Sequence, residues 1–264
     1  MCAYQRRSSP GLDPTALRGL LRPPHDTAQL VDQARAHLEL HDGYLAFSGG
    51  KDSLVALHLA RQADPNVPVC FFDDGLAYPE TYTYIADLTA AWNLNLEVIR
   101  SPKSTLEILV ADGSWSHHRT VHARNSLMSN KITKPATIAH QRYGPGLIWG
   151  LRADESEARR RMFTASIASG TPGSCHRTDE TTTFSPVWNW TTNQTWGHIA
   201  RYEIPVNPVY EKLRRLGAPT HAQRVSSLLD AGHLELGRMV WLKRGWPELY
   251  QVLVDALPRA AEYA

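Results

Sequence analysis

At 264 residues and 42% hydrophobic, the chain is long enough to bury a sizeable core as one large domain or one domain with an appendage, so disorder is not the default. The formal net charge of +2 announces neither a nucleic-acid nor a membrane-surface protein, although local basic clusters stay open. Three cysteines, Cys2, Cys70 and Cys175, are too few and too scattered for a disulfide framework or a four-cysteine metal site, and reduced thiols are the expectation.

Residues 1–25 are rich in Pro, Arg and Ser and read as a flexible arm. The stretch Met1 to Pro10 has no apolar run, so neither a secretory signal nor a membrane anchor is expected, and the location implied is cytoplasmic. From Thr27 to Leu40 the apolar positions Leu30, Val31, Ala34 and Leu38 have helical spacing. A short apolar run, Tyr44 to Phe47, predicts a strand; a glycine pair follows, then a helix carrying Leu54, Val55, Leu57, Leu59 and Ala60. The order repeats with a strand at Val67 to Phe72, a helix at Pro79 to Trp92 and a strand at Leu94 to Ile99. A helix around Ser126 to Tyr143 precedes a fourth strand, Gly146 to Leu151.

Such alternation implies an α/β fold: a parallel sheet sandwiched by helices, with the ligand site beyond the carboxyl ends of the strands. Ala168 to Ser185 is Gly, Ser, Thr and Pro-rich and predicts a mobile loop. The expected organisation is therefore an arm, a nucleotide-binding α/β domain over 26–185 and a C-terminal helical extension over 186–264. No repeat at solenoid periods and no low-complexity tract interrupts it.

The loop Ser48-Gly49-Gly50-Lys51-Asp52-Ser53 carries the strongest chemical signal. A glycine pair lets backbone amides approach an anion, and a helix start behind it adds a partial positive charge at the same point. Ser48, Ser53 and the Lys51 ammonium add side-chain donors, while Asp52 is placed to hold Mg²⁺ or to shape the turn. The spacing is not that of the GxxxxGK[ST] loop. The bland alternative is a tight strand-to-helix turn, but at average residue frequencies this six-residue match would arise in roughly one such chain in 50,000.

Asp73 and Asp74 follow the second strand, where carboxylates bind Mg²⁺ or a nucleotide, or else cap a helix. Gly150 and Arg152 at the fourth strand end, and Arg159 beyond, are candidate phosphate contacts; Arg160 and Arg161 read as surface ion pairs. Lys131 and Lys134 are open to either use. The run His117-His118-Arg119-Thr120-Val121-His122-Ala123-Arg124 fits a polyanion contact or an exposed loop equally, and zinc is disfavoured without a companion ligand cluster. Cys175 lies beside His176 and Arg177, cations that would favour a thiolate, and is the one thiol to test as a sulfur acceptor, whereas Cys70 reads as core. Trp188, Trp190, Trp196, Trp241 and Trp246 are explained more cheaply by packing than by base stacking. The spacing of Leu228, Leu229, Leu234, Leu236, Met239, Val240 and Leu242 also predicts core.

Four ordered motifs resemble one family. The Ser48–Ser53 loop is similar to that of the N-type ATP pyrophosphatases and sulfonucleotide reductases. Phe71-Phe72-Asp73-Asp74-Gly75 with Tyr78-Pro79-Glu80-Thr81 resembles the second-strand motif of the phosphoadenylyl-sulfate reductase family. Leu147-Ile148-Trp149-Gly150-Leu151-Arg152-Ala153-Asp154-Glu155-Ser156 with Arg159 resembles its later strand-to-helix motif. Pro186-Val187-Trp188-Asn189-Trp190-Thr191 continuing to Ile204-Pro205-Val206-Asn207-Pro208-Val209-Tyr210 resembles its substrate-lobe segment.

The resemblance implies an adenine nucleotide alpha hydrolase-like fold and an adenine nucleotide, ATP with Mg²⁺, at the loop. The residues it points to are Lys51, Asp52, Asp74 and Arg152 for catalysis, and Ser48 through Ser53, Asp73, Gly150, Arg152 and Arg159 for binding, with Asp52 and Asp74 on the metal; Cys175 joins the catalytic candidates from its cationic neighbours alone. Sulfonucleotide reductases use a cysteine near the C-terminus and some add an iron-sulfur cluster; no cysteine follows Cys175 here, which argues strongly against reduction of adenylyl sulfate, and no cluster is expected. The leading expectation is therefore an ATP pyrophosphatase that adenylates an acceptor, releasing pyrophosphate, to activate it for sulfur transfer. Its most specific form is the ATP-pyrophosphatase component of DNA phosphorothioation, with DNA as acceptor and a cysteine desulfurase and other modification proteins as partners. The Dnd-type component carries a four-cysteine cluster, so a cluster-free Ssp-type component is the nearer comparison. A reductase-like enzyme on a small nucleotide and a non-catalytic ATP-binding regulatory subunit are the alternatives, and a homodimer is compatible with each.

Overall fold

The computed structural model describes residues 27–113, 127–226, 228–229 and 238–264. The arm, the His117 to Arg124 run, and Leu234 and Leu236 of the predicted core lie outside the described residues. Helix α1 (Thr27–His41) leads into β1 (Gly43–Ala46), then α2 (Lys51–Ala63), β2 (Val69–Asp73), α3 (Pro79–Trp92), β3 (Leu96–Arg100) and α4 (Thr105–Asp112). A π-helical turn, Ser129–Thr133, runs into α5 (Lys134–Tyr143); β4 (Gly146–Trp149), a 3₁₀ turn at Ala153–Glu155 and α6 (Glu157–Ala168) follow. The remainder is β5 (Ser174–His176), β6 (Thr182–Phe184), α7 (Thr192–Arg201), α8 (Val209–Arg215), α9 (Arg238–Gly245), α10 (Pro247–Ala256) and a final 3₁₀ segment, Pro258–Tyr263.

The six strands lie in the order β3-β2-β1-β4-β6-β5. All pairs are parallel except β5 on β6. Chain order reverses direction at β1, whose neighbours are β2 on one side and β4 on the other, and a crevice opens at such a switch point. Every residue of β1 is buried, as a central parallel strand covered on both faces requires. Its pleat sends Leu45 and Phe47 into the core with α1, α2, α3 and α7, and Tyr44 and Ala46 into the core that Ala139 of α5 closes.

Two expectations are corrected here. The segment read as a mobile loop contains β5 and β6, joined by hydrogen bonds between Arg177 N and Thr181 O and between Ser185 N and Gly173 O. Three-residue strands of polar composition give no apolar alternation to read. The helical extension does not stand apart from residue 186: Val187, Trp190, Ile199 and Ile204 belong to the core of the sheet. A separate cluster begins at Val209 and gathers Leu213, Met239, Leu242, Trp246 and Leu253 with Leu76, Tyr78 and Leu109 from the α/β part. The tryptophans pack inside the protein: Trp188 on Phe163, Trp196 on Tyr210, and Trp246 on Tyr78 with its Nε1 donating to Glu80.

Helices α2 and α7 meet at a histidine pair, His198 Nε2 lying 3.0 Å from His58 Nδ1. Burial, with Arg61 adding to it, lowers His58 to about 4. Burial, then His58 and Arg201, lowers His198 to about 3. Tyr202 flanks both rings. The native pair thus binds fewer protons than the unfolded chain, so its contribution to stability is complete above the unfolded value of 6.5 and is lost as pH falls toward 4. Urea unfolding between pH 7 and 4 is expected to show a shallower loss of stability for a His58→Gln, His198→Phe protein than for the wild type; parallel curves would show that the pair does not govern the acid limb.

Candidate functional site

The chain leaves β1 through buried Phe47 and turns at Gly49, whose φ of +72° is a left-handed conformation that glycine adopts without strain. Gly50 is the extended N-cap of α2 and has no side-chain cap. The first intrahelical bond runs from Leu54 N to Gly50 O at 2.9 Å, so the amides of Lys51, Asp52 and Ser53 precede the helical ladder and form the positive end of its dipole. Ser53 Oγ donates to Gly50 O at 3.0 Å, accepts from Ser48 N at 3.3 Å and lies 3.1 Å from Ser48 Oγ, which closes the loop on itself. Gly150 presses against the back of the loop: a Cβ there would stand 2.4 Å from Ser53 N and 2.5 Å from Asp52 O.

Asp52 is the centre of charge. Its Oδ2 accepts from Lys51 Nζ at 2.5 Å, and its Oδ1 from Arg152 Nε at 2.6 Å and Thr195 Oγ1 at 3.2 Å. Arg152 is 3% exposed, with Nη1 donating to Trp190 O at 3.0 Å and Nη2 to Thr192 Oγ1 at 3.1 Å. The guanidinium expected to face a phosphate is therefore turned inward and positions the loop. Burial lowers the Lys51 pKa although Asp52 opposes the shift. Arg159 pairs with Glu155, whose Oε2 also accepts from Arg152 N. Arg160 pairs with Glu157 at the surface.

The second half of the site forms at the end of β2. Asp73 Oδ1 accepts from Gly75 N and from Tyr82 Oη, each at 2.9 Å. Asp74 Oδ2 accepts from Thr105 Oγ1 and Lys131 Nζ, each at 2.7 Å, and its Oδ1 from Leu76 N at 3.2 Å. Lys131 comes from the π-helical turn, a distortion that re-aims side chains at many functional sites. Lys134, on the next turn, is exposed. An open cleft over the carboxyl ends of β1, β2 and β4 is lined by Ser48, Phe72, Asp74, Lys131, Trp149 and Val225. Apolar walls with a few convergent polar groups suit a nucleoside whose phosphates point to the loop. Each oxygen of Asp52 and of Asp74 accepts from at least one cationic or neutral donor, so a Mg²⁺ ion at either carboxylate would share it with Lys51 and Arg152 or with Lys131. Among the described residues no three His, Cys, Asp or Glu side chains are arranged to hold a metal.

Cys175 is not brought to this site. It pairs across β6 and β4 through Thr183 and Leu147 to Tyr44, three strand spacings or about 14 Å from β1 and level with the strand's middle. Burial raises its pKa, Arg177 opposing only in part, so the expected thiolate is reversed. Cys70 is fully buried and its thiol is pushed up to about 12.

Two contributors belong to the motif that resembles the substrate-lobe segment but had no individual role assigned from the sequence. Asn207 Nδ2 donates to Thr81 Oγ1 at 3.0 Å and to Gly49 O at 3.4 Å. Tyr210 Oη accepts from Lys51 N at 2.9 Å. Asn207 also accepts from Val209 N at 3.1 Å, a local Asx turn that the Asn-Pro pair signals; its contact with the loop has no sequence signature.

The sheet order, the loop after β1 and the cleft beyond it define an adenine nucleotide alpha hydrolase-like α/β fold. The chain belongs to the phosphoadenosine phosphosulfate reductase domain family, whose pattern matches residues 43–223. It is 26% identical over 190 residues to the phosphoadenosine 5′-phosphosulfate reductase of Proteus mirabilis (strain HI4320), covering 68% of this chain and 70% of that protein. The corresponding Xylella fastidiosa (strain M12) enzyme is 29% identical over 178 residues, 64% and 67% of the two chains. The crystal structure of phosphoadenylyl-sulfate reductase from Candida auris, a phosphate complex, superposes with a TM-score of 0.52 at 19% identity over 80% of this chain and 94% of that one, which shows the shared fold. Members of the family are nucleotide-handling enzymes. No helix among the described residues is long and apolar enough to cross a membrane.

Removing Arg152 leaves the Asp52 carboxylate short of a buried partner. Arg152→Met is expected to lower stability in urea by about 3 kcal/mol, and Thr195→Val by about 1 kcal/mol; wild-type midpoints for Arg152→Met would refute the positioning role.

Proposed function

We propose that the protein is a phosphoadenylyl-sulfate reductase-like enzyme acting on a small adenine nucleotide, with the nucleoside in the cleft over β1, β2 and β4 and the phosphoryl chain at Ser48–Ser53. The observation that carries this reading is the turn that leads from β1 into the uncapped amino terminus of α2, with Ser48 of that turn lining the cleft beyond the strand ends. Amides fixed before the reaction, together with the Lys51 ammonium, stabilise negative charge that grows on a departing phosphate or pyrophosphate without having to reorganise. The family match and the curated relatives support a small nucleotide over a polymer. Cys70 borders the cleft but is fully buried and held as a thiol, and Cys175 lies away from it, so in this reading the attacking thiol is supplied by a separate dithiol.

That same placement of the thiols favours a second reading, an ATP pyrophosphatase that transfers AMP to an acceptor oxygen and needs no thiol of its own. A DNA backbone phosphate with sulfur from a cysteine desulfurase is its narrowest form. Parallel incubations separate the two: phosphoadenylyl sulfate with dithiothreitol yields sulfite and adenosine 3′,5′-bisphosphate under the first, whereas ATP with Mg²⁺ yields AMP and pyrophosphate under the second. Both nucleotides bound but unchanged would indicate a regulatory subunit. Lys51→Ala is expected to cut whichever turnover is found by about 100-fold; undiminished turnover would remove the loop from the chemistry.

A further inference from the structure

The phosphate loop is roofed by a side chain that arrives from the far end of the chain. Tyr210 sits in the first turn of α8, its ring perpendicular to Trp196 at 5.2 Å between centroids. Asn207, three residues earlier, ties the same turn to Gly49 O and Thr81. The phenol oxygen is thereby held over the bare face of Gly50, where a Cβ would meet it at 3.6 Å, and it accepts the Lys51 amide proton at 2.9 Å.

A phenol has one proton to donate besides the lone pairs that accept. The Lys51 amide takes a lone pair, and the Tyr210 proton has no acceptor among the described residues. Tyr210 is only 8% exposed, and a buried O–H without an acceptor is costly. The loop is the place where an anion would supply one.

We propose that the Tyr210 hydroxyl is a phosphate donor of this site: it accepts from Lys51 N and passes a hydrogen bond on to a phosphoryl oxygen of the bound nucleotide. The inference rests on the phosphate-loop reading above. Burial raises the phenol pKa, which keeps the proton in place through the neutral range. Lys51 N then acts on the nucleotide through the phenol, polarising it. The anion site is complete only when α8 is docked, which gives the C-terminal helices a part in binding.

Calorimetric titration of the full chain with ADP and with adenosine tests this. Tyr210→Phe is expected to weaken ADP binding by about ten-fold or more and to leave adenosine binding unchanged. An unchanged ADP affinity, or equal losses for ADP and adenosine, would overturn the proposal. If the wild type itself fails to prefer ADP to adenosine, the phosphate-loop reading falls instead. A second variant guards against a packing defect: 3,5-difluorotyrosine at position 210 keeps the ring and makes the phenol more acidic. Its ADP affinity is expected to fall toward alkaline pH, where a phenolate repels phosphate, while adenosine affinity stays flat; a pH profile matching the wild type would count against the hydroxyl as donor.

Discussion

One carboxylate carries the structure of the site. Asp52 stands between Lys51 and Arg152 on a side chain only 13% exposed, and each of its oxygens accepts from a cation. In such surroundings a single unpaired charge is strongly unfavourable, while a pair with further hydrogen bonds is tolerated. Arg152 meets that condition through Trp190 and Thr192, and Asp52 through Thr195. The network joins the loop after β1, the end of β4 and the start of α7, three segments far apart in sequence, and it makes the direction of the α2 amino terminus a property of the whole fold.

The second wall of the site combines neutral hydrogen-bonding groups with an ion pair. Asn207 and Tyr210 reach the loop from the segment leading into α8, and Lys212, two residues after Tyr210, donates to Glu80 at 2.8 Å with its ammonium 4.2 Å from the Trp246 ring centroid. Trp246 Nε1 donates to the same carboxylate. The C-terminal helices are therefore fastened to the first turn of α3 and to the phosphate loop at once, with a hydrophobic cluster of their own behind them. This arrangement explains why a chain whose nucleotide signature lies within its first sixty residues still needs residues beyond 200 to finish the pocket.

What was legible in the sequence follows from the range of each interaction. The helix Pro79–Trp92 is marked at both ends, by a proline in its first turn and by Asn93 in a left-handed C-cap, and its limits read directly. Strands β1, β2 and β4 announce themselves as apolar runs because they are largely buried on both faces, whereas β3 at the sheet edge buries only Ile99 and reads from its Leu, Val and Ile. Strands β5 and β6, three residues each with Ser, His and Thr among them, carry no such pattern and look like loop. At the site, the contiguous Ser48–Ser53 loop was readable as an anion turn. The inward turn of Arg152, the pairing of Asp52 with Arg152 and of Asp74 with Lys131, and the distance of Cys175 are consequences of tertiary packing between residues with no fixed spacing. Arg152 was assigned from its place in a strand-to-helix motif and Cys175 from its cationic neighbours in the chain, and neither says which way a side chain faces.

The central claim is that the amides opening α2 hold the phosphoryl end of an adenine nucleotide. Backbone amide NMR shifts of the full chain, followed during titration with ADP and separately with adenosine, report on it most directly. The account predicts that ADP, and not adenosine, moves the Gly49, Gly50, Asp52 and Ser53 amide protons downfield, with smaller changes along Phe72, Asp74 and Trp149 for both. Shifts confined to other surfaces, or loop amides indifferent to ADP at saturation, would contradict it.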